Sequence, residues 1–220
     1  MKGHTDYGGG YICWAKRGGC GAKFDELPEG SDPTEQNGNE GPEPEPLTDQ
    51  ELTNIDFVDM QVRNSLASLS TELKVKYLRR RYRTDLYALC CEVLGMEDLR
   101  LNPKIFRNMA TWGTTWEPKK IVKMCLAPRG LFKTSILNEG LCVYEILNNP
   151  QATILNGRSI QDNAENTVKA IRGYIQDNRV LRFLYPEIRP GKPWGKDKFS
   201  IKRPRATQTC TMEAWGSGAA

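Results

Sequence analysis

Apolar residues recur at helical spacing in three long stretches of the chain. Residues 71–94 predict a helix that stops before Gly95, with Leu86, Leu89, Cys90, Val93 and Leu94 on its buried face. Residues 134–149 predict a second helix with an apolar stripe, closed by Pro150. A third helix is expected from Ser159 to about Asn178.

Short, mostly apolar runs lie between these helices and predict strands. Residues 119–128 have the character of a buried parallel strand, and residues 152–157 form a second such run. Two later strands are expected in KFSIKR (198–203) and TCTMEAW (209–215). Strands that alternate with helices predict an α/β fold, in which a parallel sheet is flanked by helices.

Composition divides the chain into four parts. Residues 1–24 form a small arm rich in Gly that contains Cys13 and Cys20. Residues 25–60 carry twelve acidic side chains and no Lys or Arg, and their Pro and Gly content predicts a disordered acidic linker. Residues 61–118 are expected to be a helical lead-in, and residues 119–220 a partial α/β domain.

The charge distribution bears on the partners of the protein. The net charge is +4, but the acidic stretch masks the rest of the chain, which has 31 basic and 15 acidic side chains. Such a basic part predicts a polyanionic partner, or else a basic surface that has no dedicated partner. The cluster of Arg79, Arg80, Arg81 and Arg83 leaves the same two alternatives, a phosphate contact or a solvated helix face.

Membrane insertion and secretion are not expected. No run approaches the roughly 18 apolar residues of a membrane span, and the N-terminus has no apolar core of signal-peptide length. The seven Cys are an odd number without the spacing of a disulfide framework, which favours a reducing compartment such as the cytoplasm.

Residues 125–135, CLAPRGLFKTS, contain the candidate chemistry. Lys133 and Thr134 fit the last two positions of the phosphate-binding pattern G-x-x-x-x-G-K-[ST], but Ala127 and Phe132 occupy its two Gly positions. The order of strand, tight turn and helix is nevertheless that of a phosphate loop, because a helix N-terminus presents unpaired N–H groups to an anion. Lys133 would reach the β- and γ-phosphates of a nucleotide, and the Thr134 hydroxyl would bind Mg²⁺. The alternative is an ordinary Lys-Thr-Ser helix cap.

The segment LAPRGLFKTSI (126–136) resembles the Walker A segment of the large terminase subunits of tailed phages, which tolerate Pro-Arg-Gly-x-x-Lys-[Ser/Thr]. The resemblance extends over roughly residues 72–220 and includes four further stretches: DLYALCCEVLGMEDL, NPKIFRNMATW, SIQDNAENTVKAIRGYIQDNRVLRFLYPEI and RATQTCTMEAWGSGAA. Only the loop is chemically specific, since the other stretches match in order and general character.

This resemblance implies a P-loop NTPase fold of the RecA or ASCE type, with ATP and Mg²⁺ as cofactors. The family packages double-stranded DNA into procapsids, works as a ring on the portal protein with a small terminase subunit, and cuts DNA with a downstream nuclease domain. It acts in the cytoplasm of the infected host cell. The implied nucleotide site comprises Ala127, Pro128, Arg129, Gly130, Leu131, Phe132, Lys133, Thr134 and Ser135. Arg129 would sense or stabilise the γ-phosphate, so Arg129 and Lys133 are the implied catalytic residues.

One element of the family pattern is missing. The Walker B motif, four apolar residues followed by Asp and then by Glu or Asp, does not occur after Thr134, and Glu213 is the nearest approximation. The sequence is therefore expected to be a fragment without Walker B and nuclease, which would bind nucleotide but hydrolyse ATP poorly. Two other interpretations remain, a P-loop ATPase of the helicase or primase–helicase type and a basic DNA-binding adaptor with a degenerate loop.

Cys13 and Cys20 suggest a small zinc knuckle. His4 lies upstream, and Asp6 or Asp25 would have to complete the four ligands that structural zinc requires. The C-x₆-C spacing departs from the usual C-x₂₋₄-C pair, so the alternative is an arm with two free thiols.

Overall fold

The computed structural model describes residues 45–115, 122–205 and 207–218. These residues form a mixed α/β fold in which helices flank a four-stranded sheet. The α-helices are α1 (Asp49–Thr53), α2 (Met60–Ala67), α3 (Thr71–Thr84), α4 (Leu86–Ala88), α5 (Pro103–Thr114), α6 (Leu141–Asn148), α7 (Gln161–Asp177) and α8 (Arg179–Leu184). A 3₁₀-helix covers Glu97–Leu101, and π-helices cover Leu89–Val93 and Ser135–Gly140.

The sheet is mixed, which corrects the expectation of a parallel sheet. Its strands are β1 (Ile154–Arg158), β2 (Pro190–Trp194), β3 (Lys198–Ile201) and β4 (Met212–Gly216), in the order β1-β4-β3-β2. Only β1 and β4 are parallel, whereas β3 is antiparallel to both of its neighbours. The connection between β2 and β3 is too short for a crossover, so these strands can pair only as a hairpin.

Helix α7 covers one face of the parallel pair. Ile154 and Met212 point into the core, where they meet the buried face of α7, which includes Val168 and Ile171. On the opposite face Leu155 is 37% exposed and Trp215 is 55% exposed. The described part of the chain therefore buries one side of these two strands and leaves the other partly open.

The predicted strand at residues 119–128 does not form in the part that the structure describes. Residues 122–128 have no regular secondary structure, and Val122, Met124 and Leu126 are 64%, 74% and 88% exposed. A buried strand requires hydrogen-bonded neighbours, and no described strand pairs with this segment. The strand prediction is therefore wrong for residues 122–128, because an apolar run forms a buried strand only where a neighbouring strand pairs with it.

The predicted helix at residues 71–94 is interrupted after α3. Asp85 has an extended backbone, and its side chain accepts a hydrogen bond from Ala88 N at 2.9 Å, which starts the next helix. The predicted apolar face is confirmed: Leu86, Leu89, Cys90, Val93 and Leu94 are all buried.

Residues 45–60 fold, which corrects the linker prediction for this part of the chain. Leu52 is buried where α1 packs against α3, and Phe57, which follows α1 in the chain, is also buried in the core. Lys74, which is buried on α3, donates hydrogen bonds from Nζ to Asp49 at 2.6 Å and to Thr53 at 3.1 Å. Residues 25–44 lie outside the described residues. The acidic composition of this segment predicted disorder, although the segment contains the short helix α1 with the buried Leu52.

In the described ranges, none of the helices combines the length and apolar character that crossing a membrane requires.

A buried ion pair ties three segments of the helical part together. The Arg81 guanidinium donates to both carboxylate oxygens of Glu92, at 3.0 and 2.7 Å, and Val58 N donates to the same carboxylate at 3.0 Å. The Glu92 side chain is fully buried. Removal of one member of such a network leaves the other charge buried and unpaired, and this is the costly event.

We expect Glu92→Gln to lower the free energy of unfolding by about 3 kcal/mol, because the Arg81 charge would lose its counter-ion. Urea denaturation followed by circular dichroism measures this change. Glu97→Gln, at an exposed acidic position nearby, should stay within about 0.5 kcal/mol of the wild type. Equal stability of the two variants would show that the buried pair contributes nothing.

Candidate nucleotide-binding site

The candidate loop begins with a turn at Pro128, Arg129 and Gly130. Gly130 has φ +82°, a left-handed conformation that glycine adopts without a steric penalty, and no heavy atom lies within 4 Å of a Cβ built there. The chain thus turns directly after residues 122–128, which have no regular secondary structure. Arg129 is exposed at the tip of the turn.

Phe132 occupies the position at which the phosphate-loop pattern has its second Gly. Its φ is +43°, so the backbone takes there the left-handed conformation that glycine allows freely. For a residue with a side chain this conformation costs about 1–2 kcal/mol. The ring packs edge-to-face on Phe106, with ring centroids 6.0 Å apart and planes at 72°, and this contact offsets part of the cost.

Lys133 folds back across the loop. Its ammonium group donates a hydrogen bond from Nζ to the carbonyl oxygen of Pro128 at 2.8 Å. The two ends of the six-residue turn are therefore joined by the side chain that the sequence pattern assigns to phosphate. Ala127 and Leu131 are half-buried beside this contact, and Leu131 and Phe132 pack against the core.

A helix starts immediately after the turn. Its first backbone hydrogen bond runs from Ile136 N to Phe132 O at 3.1 Å. The amides of Lys133, Thr134 and Ser135 precede this bond, and the first amides of a helix have no acceptor within it. Thr134 is exposed and Ser135 is half-buried. The start of the helix therefore presents N–H groups and a hydroxyl group at the side on which Lys133 closes the loop, a suitable arrangement for an anion.

Two glycines allow the helix after the loop to approach the helical part closely. A Cβ on Gly140, the last residue of the π-helix, would lie 2.4 Å from Cys90 Sγ. A Cβ on Gly113 of α5 would lie 2.9 Å from Leu137 Cδ2. A Cβ does not fit at Gly140 against the fully buried Cys90 without a shift of the helix, whereas at Gly113 the end of the half-buried Leu137 side chain could move aside. Neither contact was recognised from the sequence, because glycine carries no periodic signal.

Sequence reasoning did not identify Glu139, a titratable residue on the π-helix that follows the loop. Burial raises the pKa of its carboxyl group, an effect partly opposed by the Tyr174 hydroxyl, which donates to Oε2 at 3.5 Å, and by the Arg158 charge. Arg158 is the last residue of β1, and Glu139 lies five residues beyond Thr134. The detectable signal in the sequence was an acidic residue inside an otherwise apolar helical run.

The other candidate residues are not gathered at the loop. Glu213 is exposed on β4, where it lies opposite Leu155 and Lys198 and accepts a weak hydrogen bond from Cys210 Sγ at 3.7 Å. Cys13 and Cys20, with His4, lie outside the described residues. Within the described ranges no group of three or more His, Cys, Asp or Glu side chains is arranged to hold a metal ion.

Comparison of the chain with protein-family models, with curated proteins and with solved structures gave no match. The site is therefore interpreted from its own geometry and from the sequence pattern.

The close approach at Gly140 generates a prediction about stability. Gly140→Ala should lower the free energy of unfolding by about 1–3 kcal/mol, because the added methyl group overpacks against Cys90. Chemical denaturation measures the change, and Cys90→Ala in the same chain should restore a large part of the loss.

Gly173→Ala in α7 is the matched control. A Cβ there meets only Asp177 Oδ2 at 3.9 Å, an ordinary contact. This replacement should raise stability by up to about 1 kcal/mol, the usual advantage of Ala over Gly in a helix. A stabilising effect at both glycines would contradict the steric argument at Gly140.

The raised pKa of Glu139 predicts a pH-dependent stability. A carboxyl group whose pKa is raised in the folded state stabilises below its ordinary pKa of 4.5, and this stabilisation is lost as the pH rises through the folded-state pKa. Glu139→Gln does not titrate and still accepts from Tyr174. The stability of this variant relative to the wild type should therefore improve from acid to neutral pH.

Glu165→Gln should show the opposite trend. The hydrogen bond from Lys196 lowers the pKa of Glu165, so this residue stabilises above its ordinary pKa and the effect is lost as the pH falls. Urea denaturation at about pH 4 and about pH 7 separates the two cases. If the free energy of unfolding changed equally with pH in both variants and in the wild type, the pKa shifts assigned to Glu139 and Glu165 would be refuted.

Proposed function

We propose that residues 127–135 bind the phosphates of ATP, and that the chain is the ATPase portion of a viral DNA-packaging motor of the large terminase type. The observation that carries the proposal is the Lys133 contact with the Pro128 carbonyl oxygen. It closes a loop with left-handed residues at Gly130 and Phe132, and a helix N-terminus follows at once.

The roles of the residues follow from their chemistry. On binding, the Lys133 ammonium would exchange the carbonyl oxygen of Pro128 for oxygens of the β- and γ-phosphates. The free amides of Lys133, Thr134 and Ser135 would hold the phosphates at the positive end of the helix dipole. The Thr134 hydroxyl, which is exposed, would be a ligand of the Mg²⁺ that accompanies ATP. Arg129 would supply a positive charge to the γ-phosphate, where negative charge develops during transfer.

The motor function rests on the sequence resemblance around this loop. Under the proposal the protein is an ATP hydrolase that couples hydrolysis to movement of double-stranded DNA into procapsids. It would assemble as a ring on a portal protein, together with a small terminase subunit, in the cytoplasm of the infected cell. A motor of the large terminase type would also have an endonuclease activity.

A second candidate is supported by the segment before the loop. Residues 122–128 do not join the described sheet, whereas a working phosphate loop normally follows a strand. Such a degenerate loop would suit a non-enzymatic, basic DNA-binding adaptor. Nucleotide binding separates the two candidates, since an adaptor of this kind has no use for ATP.

The test is a titration of a fluorescent ATP analogue into the full chain with Mg²⁺. We expect saturable binding that Lys133→Ala weakens about tenfold or more, since hydrogen bonds to charged groups contribute about 1.5–3 kcal/mol. Lys169→Ala, at an exposed lysine on α7, should bind as the wild type does. Thr134→Ala should remove most of the dependence on Mg²⁺.

Two outcomes would refute the nucleotide site. One is the lack of saturable binding by a sample whose circular dichroism shows that it is folded. The other is equal binding by the wild type and by Lys133→Ala. Either result would favour the adaptor.

A further inference from the structure

Helix α3 presents a basic surface away from the candidate loop. A depression of about 540 Å³ lies along the helix, and its lining includes four cationic side chains, one acidic side chain and one apolar side chain. Its lining residues are Glu72, Val75, Lys76, Arg79, Arg80, Arg83 and Thr84. Lys76, Arg79, Arg80 and Arg83 form the α3 basic surface.

Two of these arginines are held in place. Arg79 and Arg83 both pair with Glu187, Arg83 at 3.1 Å, and both guanidinium groups lie over the Tyr185 ring, 5.5 and 5.3 Å from its centroid. The Tyr185 hydroxyl donates to the carbonyl oxygen of Arg79 at 2.8 Å. One carboxylate pairs with two guanidinium groups, so the three groups together keep a net positive charge. The contacts with Glu187 and Tyr185 also hold both guanidinium groups in position before a ligand binds.

The other two cations are available for a partner. Lys76 and Arg80 are exposed, and within the described ranges neither forms an ion pair. Arg81 does not belong to this surface, because its guanidinium donates from Nε and Nη2 to the carboxylate of the buried Glu92. The arginine cluster seen in the sequence therefore separates into one structural residue and three surface residues, to which Lys76 is added.

We propose that the α3 basic surface binds the phosphate backbone of double-stranded DNA. From Lys76 to Arg83 the cations follow one helix face over about 10 Å, so they can contact successive phosphates. The guanidinium groups suit phosphate because their paired donors match its oxygens. No residue that lines the depression is aromatic, and single strands are usually bound by stacking of bases on aromatic side chains.

This inference adds a DNA-binding surface to the proposed function. It rests on that function only for the class of ligand, double-stranded DNA. The surface lies on α3, whereas the nucleotide contacts come from residues 127–135. The two sites use different side chains, so either can fail while the other holds.

The experiment measures binding of the full chain, without nucleotide, to a fluorescein-labelled 30-base-pair duplex of arbitrary sequence. Lys76→Gln/Arg80→Gln should weaken binding about tenfold at roughly 0.1 M salt, and it should reduce the slope of log K against log salt by about 2, as expected for the loss of two phosphate contacts. Both residues are exposed, so the replacement leaves the core intact.

Lys104→Gln/Lys169→Gln is the matched control. It removes the same net charge from two exposed lysines on α5 and α7, and its affinity should change by less than about twofold. Lys133→Ala should bind the duplex as the wild type does, and the α3 variant should keep wild-type binding of the ATP analogue. These two results distinguish failure of the surface from failure of the nucleotide site.

Three results would overturn the inference. The first is that the wild type does not bind the duplex. The second is that the two double variants weaken binding equally, because this would show that binding depends on diffuse charge. Tighter binding of a single-stranded 30-mer than of the duplex would also contradict the assignment to double-stranded DNA.

Discussion

The close packing between the helix after the loop and the helical lead-in is the constraint on which the candidate site depends. Gly140 brings these elements so close that a Cβ there would lie 2.4 Å from Cys90 Sγ, and Gly113 packs closely against the side chain of Leu137. Leu86, which also lies close to both glycines, belongs to the buried face of the same lead-in. The loop is therefore anchored by the helix that follows it, whereas residues 122–128, which precede it, are not part of the described sheet.

Charged side chains in the helical part perform two different tasks. Two ion pairs join segments that are distant in sequence: Glu92 pairs with Arg81, and the exposed Asp49 pairs with the buried Lys74. The two arginines that share Glu187 instead stay at the surface, where the three groups together carry a net positive charge. Burial makes the difference, because a buried charge requires its own partner whereas a solvated one remains available for a ligand.

Several elements could be predicted from the sequence because their signal is local. The helical face at Leu86 and Leu89, strand β1 and strands β3 and β4 all follow from spacing over a few residues. Strand β2 was missed, since its Pro and Gly content has no strand character. Helix α1 was missed because the acidic composition around it outweighed Leu52, whose burial depends on α3.

By itself, the sequence determined which helix faces are apolar and which residue types line the loop from Ala127 to Ser135, because both are properties of neighbouring residues. Only the tertiary structure decided that β3 runs antiparallel to β4 and that residues 122–128 stay outside the sheet. It also decided that Phe132 takes a left-handed backbone against Phe106, and that Arg81 leaves the surface cluster. Each of these outcomes depends on a contact between residues far apart in the chain, and no local pattern contains that information.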